Sequence, residues 1–234
     1  HGKDLVTEKE VTGLAKTAAL IEAIGVEVLA VEMDLLHNES IAHAMNTIIQ
    51  YFGSVDVLIN NAIYQGPDLN NSFADLTSDT LQKVAQAYII APVHIIQTLL
   101  AAMLTRPAPC IINITSGAGA VDPPIAAKDG GWGYAYGAGK AAVSRLAGIL
   151  CREYDTTDLR AFTVNPGVVD TETLRNTIGD QGVQGLGQAV AQPEEIASAL
   201  LWVAESSTAN KLRYKTIDAQ KILKEYLPPL SLRE

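Results

Sequence analysis

Tyr136 and Lys140 stand four residues apart in the run Tyr136-Gly137-Ala138-Gly139-Lys140. On a helix that spacing puts both side chains on one face. A phenol has an ordinary pKa of about 10 and is a poor acid or base at neutral pH. A neighbouring ammonium favours the phenolate and lowers that value. The pair therefore makes sense as a tuned proton donor or acceptor. Tyr134 has no such partner, because the residue four further on is Ala138. Ser116 follows the apolar run Cys110-Ile111-Ile112-Asn113-Ile114, where a hydroxyl at a strand end can hold a substrate oxygen. Each feature also has a plain reading. Tyr–Lys pairs are common on solvated helix edges, and a serine at a strand end is most often a turn residue.

The elements that would position these residues alternate strand and helix. Helical periodicity runs from Thr7 to Ile24 and stops at Gly25. Val26–Val31 reads as a strand. Asn38 can cap a helix through Ile41, Ala44, Met45 and Ile48. Val55–Asn60 is the next strand. A long helix opens at Ser78 and reaches about Leu104, with Pro92 as a kink. Cys110–Ile114 is apolar without alternation, as when both faces of a sheet are covered. A helix follows from Tyr134 to Tyr154, then strands at Arg160–Val164 and Leu212–Ile217. Between these last two, Pro193-Glu194-Glu195 starts a helix well, with proline and acids in its first turn.

This order predicts one domain over residues 1–234, an α/β fold with a doubly wound, Rossmann-like parallel sheet and helices on both faces. Ligands in such sheets bind beyond the carboxyl ends of the strands. The long loops at 117–133 and 166–192 both follow strands and so belong to that edge. The second carries Gly179, Gly182, Gly185 and Gly187. It is expected to be weakly held over 174–190 and to close over bound ligand.

Composition narrows the partners. The net charge of −9 argues against nucleic acid, whose phosphates need a surplus of Lys and Arg. Ala85–Leu104 is the most apolar stretch, but Gln86, Pro92, His94 and Gln97 interrupt it, so it reads as a buried helix and not a membrane span. No leader directs export, which predicts a cytoplasmic protein. Cys110 and Cys151 sit in apolar runs as small core residues. His37, His43 and His94 have no ligand spacing, and no metal site is expected.

Four motifs occur in order: Asn60-Asn61-Ala62 after one strand, Asn113-Ile114-Thr115-Ser116 after the next, Tyr136 to Lys140 on a helix, and Asn165-Pro166-Gly167-Val168-Val169-Asp170-Thr171 after a third. Over about residues 7 to 205 the chain resembles the short-chain dehydrogenase/reductase family. The resemblance implies an oxidoreductase that moves a hydride between NAD or NADP and a small alcohol or carbonyl compound. It implies that Tyr136 exchanges a proton with the substrate oxygen and that Ser116 hydrogen-bonds that oxygen. Lys140 would lower the Tyr136 pKa and bind the nicotinamide ribose. Asp34 and Leu35 match positions that touch the adenine. Asn61, Ala62 and Ile63 would line the cofactor. Pro166, Gly167, Val169 and Thr171 would sit at its nicotinamide end. Family members commonly pair through the helices matching 78–104 and 134–154, so a homodimer or homotetramer is expected.

The chain departs from the family pattern in several places. The first strand and its glycine-rich, pyrophosphate-binding turn do not occur in this numbering, and a segment preceding His1 is expected to supply them. Tyr88 stands where the family usually has an Asn that supports a water relay to the lysine. Ile63 replaces the usual Gly, and the final glycine pair is lacking. Ser116 and Tyr136 are 20 residues apart, longer than the common spacing, and the insertion Pro123–Trp132 accounts for it. Trp132 either walls the substrate site or pins the loop. A catalytically silent cofactor-binding or scaffold protein on the same fold is the alternative.

Overall fold

A computed structural model describes residues 13–172, 174, 175 and 190–227. Four parallel strands form the main sheet: β1 (Val57–Asn60), β2 (Cys110–Ile114), β3 (Arg160–Asn165) and β6 (Thr216–Asp218), in the order β1-β2-β3-β6. The register pairs Val57 with Cys110, Cys110 with Arg160 and Val164 with Ile217. A small parallel pair, β4 (Val168–Val169) and β5 (Val190–Ala191), brackets the second long loop. The helices are α1 (Gly13–Ala23), α2 (Asn38–Phe52), α3 (Ser78–Val84), α4 (Ala91–Met103), α5 (Tyr134–Glu153), α6 (Pro193–Glu205) and α7 (Ala219–Tyr226).

Alternation along β2 and β3 divides the core in two. Cys110, Ile112, Ile114, Phe162 and Val164 pack with Ile196, Ala199 and Val203 of α6 and Ile222 of α7. Ile111 and Ala161 point the other way, into Ile95, Ile96, Leu99 and Met103 of α4 and Ala147 and Cys151 of α5. Successive side chains leave a strand on opposite faces. Both faces being covered, all five residues of β2 are buried, which is why its sequence shows no polar alternation. Both cysteines are free and buried, and burial pushes the Cys110 thiol up to about 11.

Several sequence expectations need correction. Val26–Val31 is not a strand: it runs without ladder partners among the described residues. An extended segment becomes a strand only beside a hydrogen-bonding neighbour. Its side chains still contribute, as Val31, Met33 and Leu35 pack against the core. β1 is the outer strand of the described sheet, and its Val57 and Ile59 are 42% and 44% exposed. The last strand lies at Thr216–Asp218, because Ser207–Leu212 winds into a 3-10 helix instead. Asn38 does not cap α2. His37 holds the N-cap position, and the Asn38 side chain accepts from Gln86 Nε2 at 2.8 Å.

The long helix is continuous from Ser78 to Met103, with half of its most apolar window buried inside the protein. Thr77 caps it, accepting from the Thr80 N–H at 3.1 Å. Pro92 does not act alone as a kink. Ala85–Ile90 forms a π-helical turn just ahead of it, with the Ala91 N–H reaching back to the Gln86 carbonyl. Proline lacks the N–H that would bond residue 88 and crowds that carbonyl. The wider turn accommodates both effects. The expected closing of 174–190 over bound ligand falls largely on residues 176–189, which lie outside the described residues.

Stability should follow this burial. Ile112→Ala, on a side chain with 0% exposure, is expected to cost about 2–5 kcal/mol. Val57→Ala, on the half-exposed outer strand, should cost less than about 1 kcal/mol. Guanidinium titration of the two variants checks the contrast.

Candidate active site

β2 ends at Ile114 and delivers Thr115 and Ser116 to the carboxyl edge of the sheet. Ser116 is extended (φ −150°, ψ 160°) and half-buried, and its Oγ accepts from the Ala118 N–H at 3.3 Å. The turn Gly117–Gly119 then lies against α5. A Cβ on Gly119 would stand 2.6 Å from the Lys140 carbonyl carbon, so only glycine permits this approach. Thr115 Oγ1 reaches the Lys140 carbonyl at 3.1 Å and Ser144 Oγ at 2.7 Å. These bonds join the strand end bearing Ser116 to the helix bearing Tyr136 and Lys140.

Lys140 is only 4% exposed. Its Nζ donates to the Ile114 carbonyl at 3.0 Å. The ammonium lies 6.0 Å from the Tyr136 ring centroid and 5.8 Å from that of Tyr88. Taking an ammonium out of water penalises its charged form. Burial accordingly brings Lys140 down to about 8. Tyr136 is half-buried one turn before it on the same helix, as their spacing predicted.

Asp34 and Leu35, expected at the adenine, also converge with residues expected to line the cofactor. Asp34, Leu35, Ala62 and Ile63 line one cleft of about 440 Å³, together with Met33, Tyr64 and Ala87. Asn61 borders an adjoining apolar cavity of about 210 Å³ that Leu35, Ala62 and Ile63 share. The Leu36 N–H and His37 Nδ1 both bond the Asp34 carboxylate, at 2.8 and 2.9 Å, and hold its pKa below the ordinary carboxylate value. Leu35, Ala62, Ile63 and Ala87 offer apolar walls beside a fixed acceptor, a set that suits a purine base.

In the segment expected to meet the nicotinamide end, Pro166 and Gly167 form a turn after β3. Gly167 has φ +71°, a left-handed conformation that favours glycine, and its N–H bonds Asn165 Oδ1 at 3.0 Å. Gln220 Nε2 bonds the Pro166 and Val168 carbonyls at 3.4 and 3.2 Å and so braces the turn from α7. Val169 is fixed in β4. Thr171 is exposed, and its Oγ1 accepts from the Leu174 N–H at 3.2 Å. Trp132 lines two clefts of about 320 and 350 Å³ that both border the 117–133 loop, and it stands beside Gly137. Gly133 ties that loop to Asn70 Oδ1 through its N–H at 3.1 Å. Two contributors escaped the sequence reading: the Gln220 brace and the His37–Asp34 bond. His37 at three residues from Asp34 was the one local signal available, and Gln220 joins a distant segment. The family pattern had already set position 88 near the lysine, and the structure adds that Tyr88 meets the ammonium with its ring.

Comparison with known proteins gives a consistent picture. A family model described as short chain dehydrogenase matches residues 2–182. Dehydrogenase/reductase SDR family member 7B of Bos taurus is 30% identical over 72% of this chain and 50% of its own length. A 3-oxoacyl-(acyl-carrier-protein) reductase of Staphylococcus epidermidis is 26% identical over 86% of this chain and 80% of its own. The chain thus spans about half the length of the bovine relative. Among solved structures, L-sorbose reductase of Gluconobacter frateurii, complexed with NADPH and L-sorbose, superposes with a TM-score of 0.75. It is 23% identical, over 88% of this chain and 80% of the other. That likeness carries the fold.

The buried ammonium predicts a pH signature. The folded pKa of Lys140, about 8, lies below the ordinary value of 10.5. Between the two, the unfolded chain binds more protons, so stability rises with pH. The penalty is constant below about pH 8 and relieved by about pH 10.5. Relative to Lys140→Met, the wild type should gain on the order of 2 kcal/mol between pH 7 and pH 10. Chemical denaturation at the two pH values measures it.

Proposed function

The chain belongs to the short-chain dehydrogenase family, and we propose that it is an NAD- or NADP-dependent oxidoreductase that interconverts a small alcohol and its carbonyl compound. The observation that carries this reading is the placement of Lys140: a buried ammonium, held by the Ile114 carbonyl and lying over the Tyr136 ring. A lysine kept out of water on a protein with an acidic balance needs a task to justify its burial cost.

When bound, the cofactor supplies or accepts the hydride. The residues of this chain do the rest. The cleft of Asp34, Leu35, Ala62 and Ile63 takes the adenine, with Asn61 beside it. Pro166, Gly167, Val169 and Thr171 hold the nicotinamide end. Lys140 spends one N–H on Ile114 and has two left for ribose hydroxyls. Ser116 donates its hydroxyl hydrogen to the substrate oxygen and fixes its position. In carbonyl reduction Tyr136 gives its phenolic proton to that oxygen; in alcohol oxidation it takes the proton back. The Lys140 charge steadies the anionic partner in either direction.

The outer faces of the long helices support assembly. Ile89 and Ile90 on the π turn and Ile149 on α5 are 47%, 46% and 52% exposed. Exposed apolar side chains on these helices favour a homodimer or homotetramer as the working form. A single domain working in the cytoplasm on a small molecule, away from membranes and nucleic acid, completes the reading.

Two measurements test it. Oxidation of NADH or NADPH should be followed with ketoses, 3-oxoacyl thioesters and simple ketones. Tyr136→Phe should lower turnover by about 10²–10⁴-fold with cofactor affinity changed less than about twofold, whereas Lys140→Ala should weaken both. Near-normal turnover in Tyr136→Phe removes Tyr136 from the role. Bound cofactor without turnover on any substrate points instead to a silent cofactor-binding protein. Light scattering at micromolar concentration should return the mass of two or four chains, and a monomer would overturn the assembly.

A further inference from the structure

The side chain of Tyr88 is 1% exposed, and among the described residues it is the largest of the fully buried side chains. Three constraints hold it. Its hydroxyl donates to the Tyr64 carbonyl at 3.0 Å. Its ring fills the space a Cβ on Gly139 would need, since that atom would lie 2.6 Å from Cδ1 and 2.9 Å from Cγ. Its backbone belongs to the π turn Ala85–Ile90, four residues before Pro92. Leu69, Val84, Ala87, Ala135 and Val143 complete an apolar setting around it. The ring so fixed stands 5.8 Å from the Lys140 ammonium.

A polar side chain at this position could organise water behind the lysine. A buried ring cannot, and its one polar atom is already committed to Tyr64. The size relation with Gly139 is reciprocal: the large ring at 88 is possible because residue 139 has no side chain. Glycine inside a helix is unfavourable relative to alanine, and its presence in α5 fits this contact.

We propose that Tyr88 is a positioning residue for Lys140: its ring, seated against Gly139 and tethered to Tyr64, closes the inner wall of the lysine chamber to water, so that the ammonium exchanges protons only on its Tyr136 side. This rests on the reading of Lys140 as part of the proton-handling site. Among the described residues, the Ile114 carbonyl from β2, the Tyr88 ring from the π turn and the Tyr136 ring from α5 itself face the ammonium. Two of these titrate. Burial first, and the neighbouring Tyr136 second, push the Tyr88 phenol far above its ordinary value, so it stays neutral at any working pH. Among the described residues no charged side chain offsets the burial of Lys140. The wall is thus uncharged: it excludes water, and its ring face adds a weak attraction for the ammonium that is smaller than the desolvation it imposes.

The test separates this inference from the activity it rests on. Protein labelled with carbon-13 at the lysine ε position is titrated by NMR without cofactor, and Lys140→Met identifies the signal. Wild type should titrate near 8. Tyr88→Phe keeps the ring and should stay within about half a unit of wild type, whereas Tyr88→Ala, or Tyr88→Leu if the alanine variant does not fold, should rise by about one unit or more toward an ordinary lysine. Wild-type titration in the ring-removed variant overturns the proposal. Gly139→Ala supplies the packing control. It should lower the denaturation midpoint in wild type and raise it in the Tyr88→Ala or Tyr88→Leu background, and an equal loss in both backgrounds also overturns the proposal. The pH–rate profile then reports on the function. If the Lys140 titration moves and the profile moves with it, both readings stand. If only the titration moves, Tyr88 still walls the lysine, and Lys140 drops out of the proton path.

Discussion

The Lys140 ammonium sits in a chamber with one protein hydrogen bond and two aromatic rings. Burying a charge is costly unless it is partnered, and a lone carbonyl compensates only part of that cost. The surrounding structure must therefore hold the chamber rigidly. α5 is anchored to β2 by Thr115 and to β3 by Thr163, whose Oγ1 donates to the Ser144 carbonyl at 3.3 Å. Thr115 and Thr163 are themselves almost fully buried. Their hydroxyls find partners on α5, so the helix cannot slide along the sheet without orphaning buried polar groups.

The same economy governs the strand ends. Asn60 and Asn113 occupy matched positions on β1 and β2, and Asn60 Nδ2 donates to Asn113 Oδ1 at 2.9 Å. Asn113 Nδ2 remains buried without a partner among the described residues. Polar groups gathered at the carboxyl edge, above a sheet that is apolar through its middle, mark that edge as the place where chemistry is possible. The turn after β3 belongs to this edge too. Gln220 reaches it from α7, converting a chain reversal at Gly167 into a fixed wall.

The lysine chamber and the cleft lined by Asp34, Leu35, Ala62 and Ile63 meet at the π turn. Ala87 lines the cleft, and Tyr88, the next residue, lines the chamber. Gln86 on the same turn bonds the Leu35 carbonyl at 3.2 Å and the Asn38 side chain. One wide helical turn thus touches both halves of the candidate site. A regular α-helix across these residues would present a different set of side chains to each half, because a π turn inserts an extra residue into the helical repeat.

Much of this was legible in the chain itself. The unbroken apolar run Cys110–Ile114 announces a strand covered on both faces, and the spacing of Tyr136 and Lys140 sets them on one helical face, because strand and helix repeats are properties of the local backbone. The family resemblance implied that Asp34, Leu35, Ala62 and Ile63 all face the cofactor; that they line one cleft is a finding of the folded molecule. Other features needed the folded molecule. Val26–Val31 has the composition of a strand, yet pairing depends on a neighbour that composition does not contain. The sequence leaves Lys140 open between a tuned partner of Tyr136 and a solvated helix edge, and its burial under β2 and Tyr88 belongs to the folded molecule. Nothing local links Tyr88 to Gly139, 51 positions apart, or Gln220 to Pro166. Such contacts arise when packing excludes every other occupant of a space, and only the tertiary structure settles which side chain that is.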